Sequence, residues 1–88
     1  MKNIVFSPDA WFDFIQWAKN DKKVFDKISE LIQETSRTPF QGRGNPEPLK
    51  YKLSGYWSRR ITTEHRLVYT VNGEDIQIIS CKYHYQDK

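Results

Sequence analysis

Residues 7–35 read SPDAWFDFIQWAKNDKKVFDKISELIQET, and the spacing of their apolar side chains decides what fold this chain can make. Ser7, Pro8 and Asp9 supply an N-cap, a first-turn proline and an acid suited to the positive end of a helix. Trp11, Phe14, Ile15 and Ala18 then fall at i, i+3, i+4 and i+7, one stripe of a helix ending near Asn20. Asp21 caps a second helix, whose stripe is Val24, Ile28, Leu31, Ile32 and Thr35, widened by Phe25. The turn between the two is so short that they must form a hairpin, and both stripes need a sheet to cover.

The flanking segments supply that sheet. Upstream, Asn3–Phe6 reads as a short strand. Downstream the periodicity stops from Ser36 to Pro48, where Thr38-Pro39, Gly42, Gly44, Asn45-Pro46 and Pro48 preclude a helix. Residues 49–53 pair with 56–62 across Ser54-Gly55, and residues 66–71 with 75–83 across a turn holding Asn72-Gly73. The expected fold is α+β, in the order β-α-α-β-β-β-β, with the helical hairpin on one face of a mainly antiparallel sheet of four to five strands. The opposite face is left for a ligand. Eighty-eight residues allow one domain, spanning 1–88.

A hydrophobic content of 38%, with three Trp, five Tyr and five Phe, suffices for a core and argues against disorder. The net charge of +3 is unevenly distributed: residues 1–36 carry five Lys against six acids, residues 37–88 nine Lys or Arg against five acids. The basic half suits a polyanion, although clustered cations also serve solubility alone. A lone cysteine, Cys81, has no partner for a disulfide or a zinc site, which fits the cytoplasm. Pro8, Asp9 and Asp13 interrupt the N-terminal apolar run before a signal core or membrane span develops, so no membrane association is expected.

In the basic half, cations alternate with aromatics at Lys50-Tyr51-Lys52, Tyr56-Trp57-Ser58-Arg59-Arg60 and Lys82-Tyr83-His84-Tyr85. Such surfaces bind single-stranded RNA by stacking bases and tracking phosphates, while the same rings also serve as ordinary strand residues, Trp57 foremost. Glu47 lies between two prolines that stiffen its backbone, as a general base requires; the alternative is a solvated loop carboxylate. His84 is placed to donate a proton near neutral pH or is an incidental terminal histidine, and His65 reads as structural or superficial. Arg66 opens a strand and offers a cation. A base, an acid and a cation are what cleavage of a phosphodiester by its own 2′-hydroxyl requires. Two His and one Cys without paired carboxylates support neither a zinc site nor a two-metal nuclease, so no metal and no cofactor are expected.

Pro46-Glu47-Pro48-Leu49-Lys50, Leu53-Ser54-Gly55-Tyr56-Trp57-Ser58-Arg59-Arg60-Ile61, Glu64-His65-Arg66-Leu67-Val68-Tyr69 and Tyr83-His84-Tyr85 together resemble the Txe/YoeB family of RelE-like toxins. The likeness extends to the Trp11 helix, Asn20-Asp21-Lys22-Lys23 and Arg37-Thr38-Pro39-Phe40, and so spans nearly the whole chain. It implies the toxin of a type II toxin–antitoxin pair, an mRNA interferase that cuts the codon in the ribosomal A site and stops translation. Glu47 then corresponds to the general base, His84 to the general acid, Arg66 to the stabiliser of the phosphorane and Tyr85 to the residue that orients the RNA. Lys50 and Arg59 match basic RNA-binding positions, Arg60 in the basic stretch beside Arg59 is a further RNA-binding candidate, and the implied product is a 2′,3′-cyclic phosphate. The resemblance further implies a homodimer, an antitoxin of YefM type, and operator DNA bound only through the antitoxin complex. Family members commonly stop at the His-Tyr pair, whereas Gln86, Asp87 and Lys88 follow it here and remove the terminal carboxylate from beside Tyr85. The competing class is a non-catalytic module that binds RNA or the ribosome, or co-represses DNA, through charge and stacking; a plain interaction domain is the third.

Overall fold

A computed structural model describes residues 1–83 of the chain. Strand β1 (Asn3–Phe6) leads into α1 (Pro8–Asn20) and α2 (Lys22–Arg37), followed by β2 (Glu47–Pro48), β3 (Trp57–Arg60), β4 (Arg66–Asn72) and β5 (Asp75–Ser80). The caps fall where the residue types demand. Ser7 Oγ accepts the Ala10 N–H at 3.2 Å with Pro8 in the first turn, and Asp21 both ends α1 and accepts the Val24 N–H at 3.2 Å to start α2. No described helix is long and apolar enough to cross a membrane.

The five strands lie in the order β1-β5-β4-β3-β2, with β1 parallel to β5 and all other pairs antiparallel. Both helices pack on one face. Ala10, Ile28, Leu31 and Ile32 meet Leu67, Tyr69, Ile76 and Ile78, while Ile4, Phe6, Phe14 and Trp57 close the margins, placing Trp57 with the core. The α2 stripe is the expected one, and Thr35 satisfies its buried hydroxyl by donating to the Leu31 carbonyl at 2.6 Å.

The expected α1 stripe is rotated. Ala10 is fully buried, whereas Trp11 is half-exposed and Ala18 exposed, so α1 meets the sheet through Ala10, Phe14 and Trp17. Ala10 lets the backbones approach closely, and the Trp11 ring lies edge-on to Phe6 at the rim, 5.4 Å between centroids.

Residues 49–53 do not form the expected strand. Tyr51 takes a left-handed backbone (φ 55°) and opens a 3₁₀ turn over Tyr51–Leu53. The Ser54-Gly55 turn has φ/ψ of −57°/132° at Ser54 and φ of 96° at Gly55, a type II geometry whose twist splays flanking strands. Pairing with β3 occurs instead just upstream, Glu47 opposite Ser58 and Pro48 opposite Trp57. This is the sheet edge, where a proline without an N–H is tolerated. The last strand is also shorter than residues 75–83: it stops at Ser80, and pairing resumes only where the Arg66 N–H donates to the Tyr83 carbonyl at 2.8 Å.

Candidate active site

Alternation along paired strands determines which side chains share the face away from the helices. Glu47 lies opposite Ser58, and Arg60 opposite Arg66, which places all four on that face at the β2–β3–β4 edge. They line a cleft of about 440 Å³. Two expected site residues, Glu47 and Arg66, are therefore brought together although 18 residues, including all of β3, lie between them in the sequence.

The loop before Glu47 is held by unusual backbone. Gly42 has φ 106°, and a Cβ there would strike the Glu34 carboxylate, which instead accepts the Arg43 N–H. Gly44 has φ 80° and sits within about 3 Å of where Arg59, Arg60 and Leu31 atoms would meet a Cβ; its carbonyl accepts the Arg60 N–H at 2.7 Å. Asn45, also left-handed at φ 51°, donates from Nδ2 to Glu47 Oε1 at 2.9 Å and so orients an otherwise exposed carboxylate. Arg66 is half-buried. Its Nη1 donates to the carbonyls of Thr62 (2.7 Å), His65 (3.1 Å) and Thr63 (3.2 Å), which fixes the guanidinium and leaves Nε and Nη2 without a protein acceptor among the described residues. Such a half-satisfied arginine is suited to a phosphate.

Arg60 is exposed and lines the cleft. Lys50 is exposed but lies outside the cleft lining, in the connection that leads to the 3₁₀ turn. Arg59 corrects the sequence expectation. It is completely buried on the helix side, where Nε donates to the Tyr69 hydroxyl (3.2 Å), Nη1 to the Arg43 carbonyl (3.0 Å) and Nη2 to the carbonyls of Thr38 (2.5 Å) and Gln41 (2.9 Å). Glu34 lies 3.6 Å from Nη1. With its donors engaged and no solvent access, Arg59 is unavailable to RNA and instead ties down the loop that delivers Glu47. Alternation carries the signal for this: Trp57 belongs to the core, and Arg59, two residues on, shares its face.

Lys27 and Ser58 were absent from the sequence-based set. Ser58 follows Arg60 by alternation, but Lys27 reaches the cleft from α2, and its arrival depends on how the loop folds back. His84 and Tyr85 lie outside the described residues. The segment preceding them is anchored beside the cleft, because Tyr83 accepts from the Arg66 N–H and its own N–H donates to His65 Nδ1 at 2.7 Å. Among the described residues no three His, Cys, Asp or Glu side chains are grouped so as to hold a metal ion.

A profile described as a YoeB-like toxin of bacterial type II toxin-antitoxin systems matches residues 6–85. The chain belongs to this family. Toxin YoeB of Escherichia coli (strain K12) is 54% identical over 82 residues, covering 93% of this chain and 98% of that protein. Among solved structures, a YoeB dimer from Staphylococcus aureus superposes with a TM-score of 0.88 at 53% identity, covering 96% of this chain and 98% of that one. A heterotetrameric YoeB-YefM toxin-antitoxin complex from the same organism gives 0.88 at 52% identity, with 97% and 99% coverage. This YoeB-family chain is thus a toxin of a type II toxin–antitoxin system, and the α+β fold with both helices on one sheet face is the family's fold.

Proposed function

We propose that this YoeB-family toxin is a ribosome-dependent endoribonuclease that cuts mRNA in the ribosomal A site by metal-independent acid–base catalysis. The observation that carries the reading is the convergence of Glu47 and Arg66 on one cleft, the carboxylate oriented by Asn45 and the guanidinium with two nitrogens open among the described residues. Glu47 removes the proton from a ribose 2′-hydroxyl. The 2′-oxygen attacks the adjacent phosphorus, Arg66 stabilises the charge on the phosphorane, and the bond to the 5′-oxygen breaks. His84 protonates that leaving oxygen, giving a 2′,3′-cyclic phosphate and a 5′-hydroxyl, while Tyr85 orients the RNA. Arg60, Lys27 and, outside the cleft, Lys50 attract the flanking phosphates.

The partners follow from this reading: mRNA on the ribosome, a second toxin copy as in the Staphylococcus aureus dimer, and an antitoxin of YefM type as in the heterotetramer. Operator DNA is contacted only through the antitoxin complex, and the site of action is the cytoplasm, where ribosomes are.

Primer extension on an mRNA translated in a reconstituted system tests the proposal. Wild type should leave cuts inside A-site codons, and Glu47→Ala should lower the single-turnover rate by about 10²- to 10⁴-fold without changing the melting temperature. Undiminished cutting by both Glu47→Ala and His84→Ala overturns the mechanism. Translation arrest without any cut identifies a non-catalytic binder instead.

A further inference from the structure

We propose that His65 is a positioning residue whose neutral imidazole clamps the segment leading into His84 against the strand that carries Arg66. Its structural half stands on the geometry; its catalytic half rests on the ribonuclease reading above.

His65 is only 9% exposed. Its Nδ1 accepts the Tyr83 N–H at 2.7 Å, and the next residue, Arg66, donates its own N–H to the Tyr83 carbonyl at 2.8 Å. Both polar groups of one peptide segment are thus bound by two consecutive residues of the β4 entry. Tyr83 has a left-handed backbone (φ 59°), a conformation that surroundings must enforce for a residue with a side chain. The clamp joins positions adjacent to two proposed catalytic groups, since Arg66 follows His65 and His84 follows Tyr83.

The bond works in one protonation state. Because Nδ1 accepts, the ring proton resides on Nε2, which faces Glu64 Oε1 at 3.4 Å. A second proton would turn Nδ1 into a donor aimed at another donor, and the clamp would open. The groups around the ring are Glu64 on its own connection, the Arg66 guanidinium on the His65 carbonyl, and Tyr83, whose ring is 5.5 Å away with the Lys82 ammonium above it. From α1 comes the uncharged Trp17 ring, edge-on at 4.8 Å. Trp17 Nε1 also donates to the Cys81 carbonyl at 2.9 Å, so the segment before Tyr83 keeps a tether that does not titrate.

Two measurements on wild type, His65→Asn and His65→Leu test this. Asparagine presents an acceptor oxygen where Nδ1 lies, and leucine presents none. Amide exchange at Tyr83, corrected for intrinsic rate, should be about tenfold slower in wild type than in His65→Leu, the scale of one hydrogen bond. His65→Asn should keep that protection. In A-site cleavage, His65→Leu should lower kcat by about tenfold with little change in KM. His65→Asn should restore it. Equal protection of Tyr83 in wild type and His65→Leu, or His65→Asn behaving like His65→Leu in both measurements, overturns the proposal. If His65→Leu fails to fold, His65→Ala takes its place in both. If wild type itself cuts no mRNA, the ribonuclease reading fails while the exchange data still decide the clamp.

Discussion

Arg59 and Arg60 are sequence neighbours of identical chemistry, and β3 sends one beneath the sheet and the other into the cleft. Beneath, the guanidinium is fully buried among three loop carbonyls, the Tyr69 hydroxyl and Glu34. Above, the side chain is exposed beside Glu47 and Arg66. In a strand the face, rather than the residue type, decides whether a cation maintains structure or meets a ligand. Burial of Tyr69 shows the same environment from the partner's side: desolvation pushes its phenol pKa up, although Arg59 pulls it down.

Breaking the comparison on the buried side should give the largest effect. Arg59→Ala removes a desolvated cation whose partners include Glu34, and the loss of one member of such a cluster costs about 3 to 5 kcal/mol. That is a large part of the ~5 to 15 kcal/mol available to a domain, so the urea midpoint should fall sharply. Arg59→Lys should recover little, because an ammonium lacks the planar fork that reaches all four oxygen partners. Arg60→Ala should leave stability within about 0.5 kcal/mol. Similar urea curves for Arg59→Ala and Arg60→Ala would abolish the distinction between the faces.

The contrast also marks how far the sequence could be read. The helical hairpin was legible because Ser7 and Asp21 cap it and the α2 stripe repeats cleanly, and the meander because apolar strands flank turn dipeptides. Glu47 and Arg66 were legible as residue types, but their meeting depends on register, Glu47 opposite Ser58 and Arg60 opposite Arg66, which no local pattern specifies. Basicity misled at Arg59, where alternation from Trp57 was the better guide. The Ser54-Gly55 dipeptide in turn misled at residues 49–53, because its type II geometry splays the flanking strands. Lys27 was invisible for a different reason: a lysine beside an apolar stripe looks like any solvated helix residue until the loop through Gly44 and Asn45 closes the cleft around it.

Lys27 and Arg60 sharpen the open side of the comparison. Each is expected to neutralise one phosphate of a single-stranded message, so Lys27→Ala and Arg60→Ala should each reduce the slope of log affinity against log salt by about 0.7. The double variant should lose both contributions, with a melting temperature near that of wild type. RNA-binding titrations at several salt concentrations check this. A slope that responds to Arg60 alone would place Lys27 at the cleft wall without a phosphate partner.

Cys81 gives the smallest effect and tests the buried side with a group that has no compensating ion. It is completely buried, its Sγ lying 3.6 Å from the Ala10 carbonyl that accepts from it. Burial first, and the Asp13 carboxylate second, push the thiol pKa from 9.0 up to about 12. The folded state therefore holds this proton more tightly than the unfolded chain does. The stability linked to it is fully present below the unfolded value and is lost as pH rises from about 9 towards about 12. The slope is about 1.4 kcal/mol per pH unit at most, and nothing should be seen at neutral pH. Cys81→Ala should lower stability at neutral pH, since it leaves a small void, and flatten the alkaline decline, so that its deficit narrows as pH rises above about 9. Some decline should persist, because Tyr69 shifts in the same direction. Denaturation midpoints measured from neutral to alkaline pH separate these components: parallel curves for wild type and Cys81→Ala would mean that the buried face accommodates a thiolate without a partner, in contrast to the elaborate solvation that it provides for Arg59.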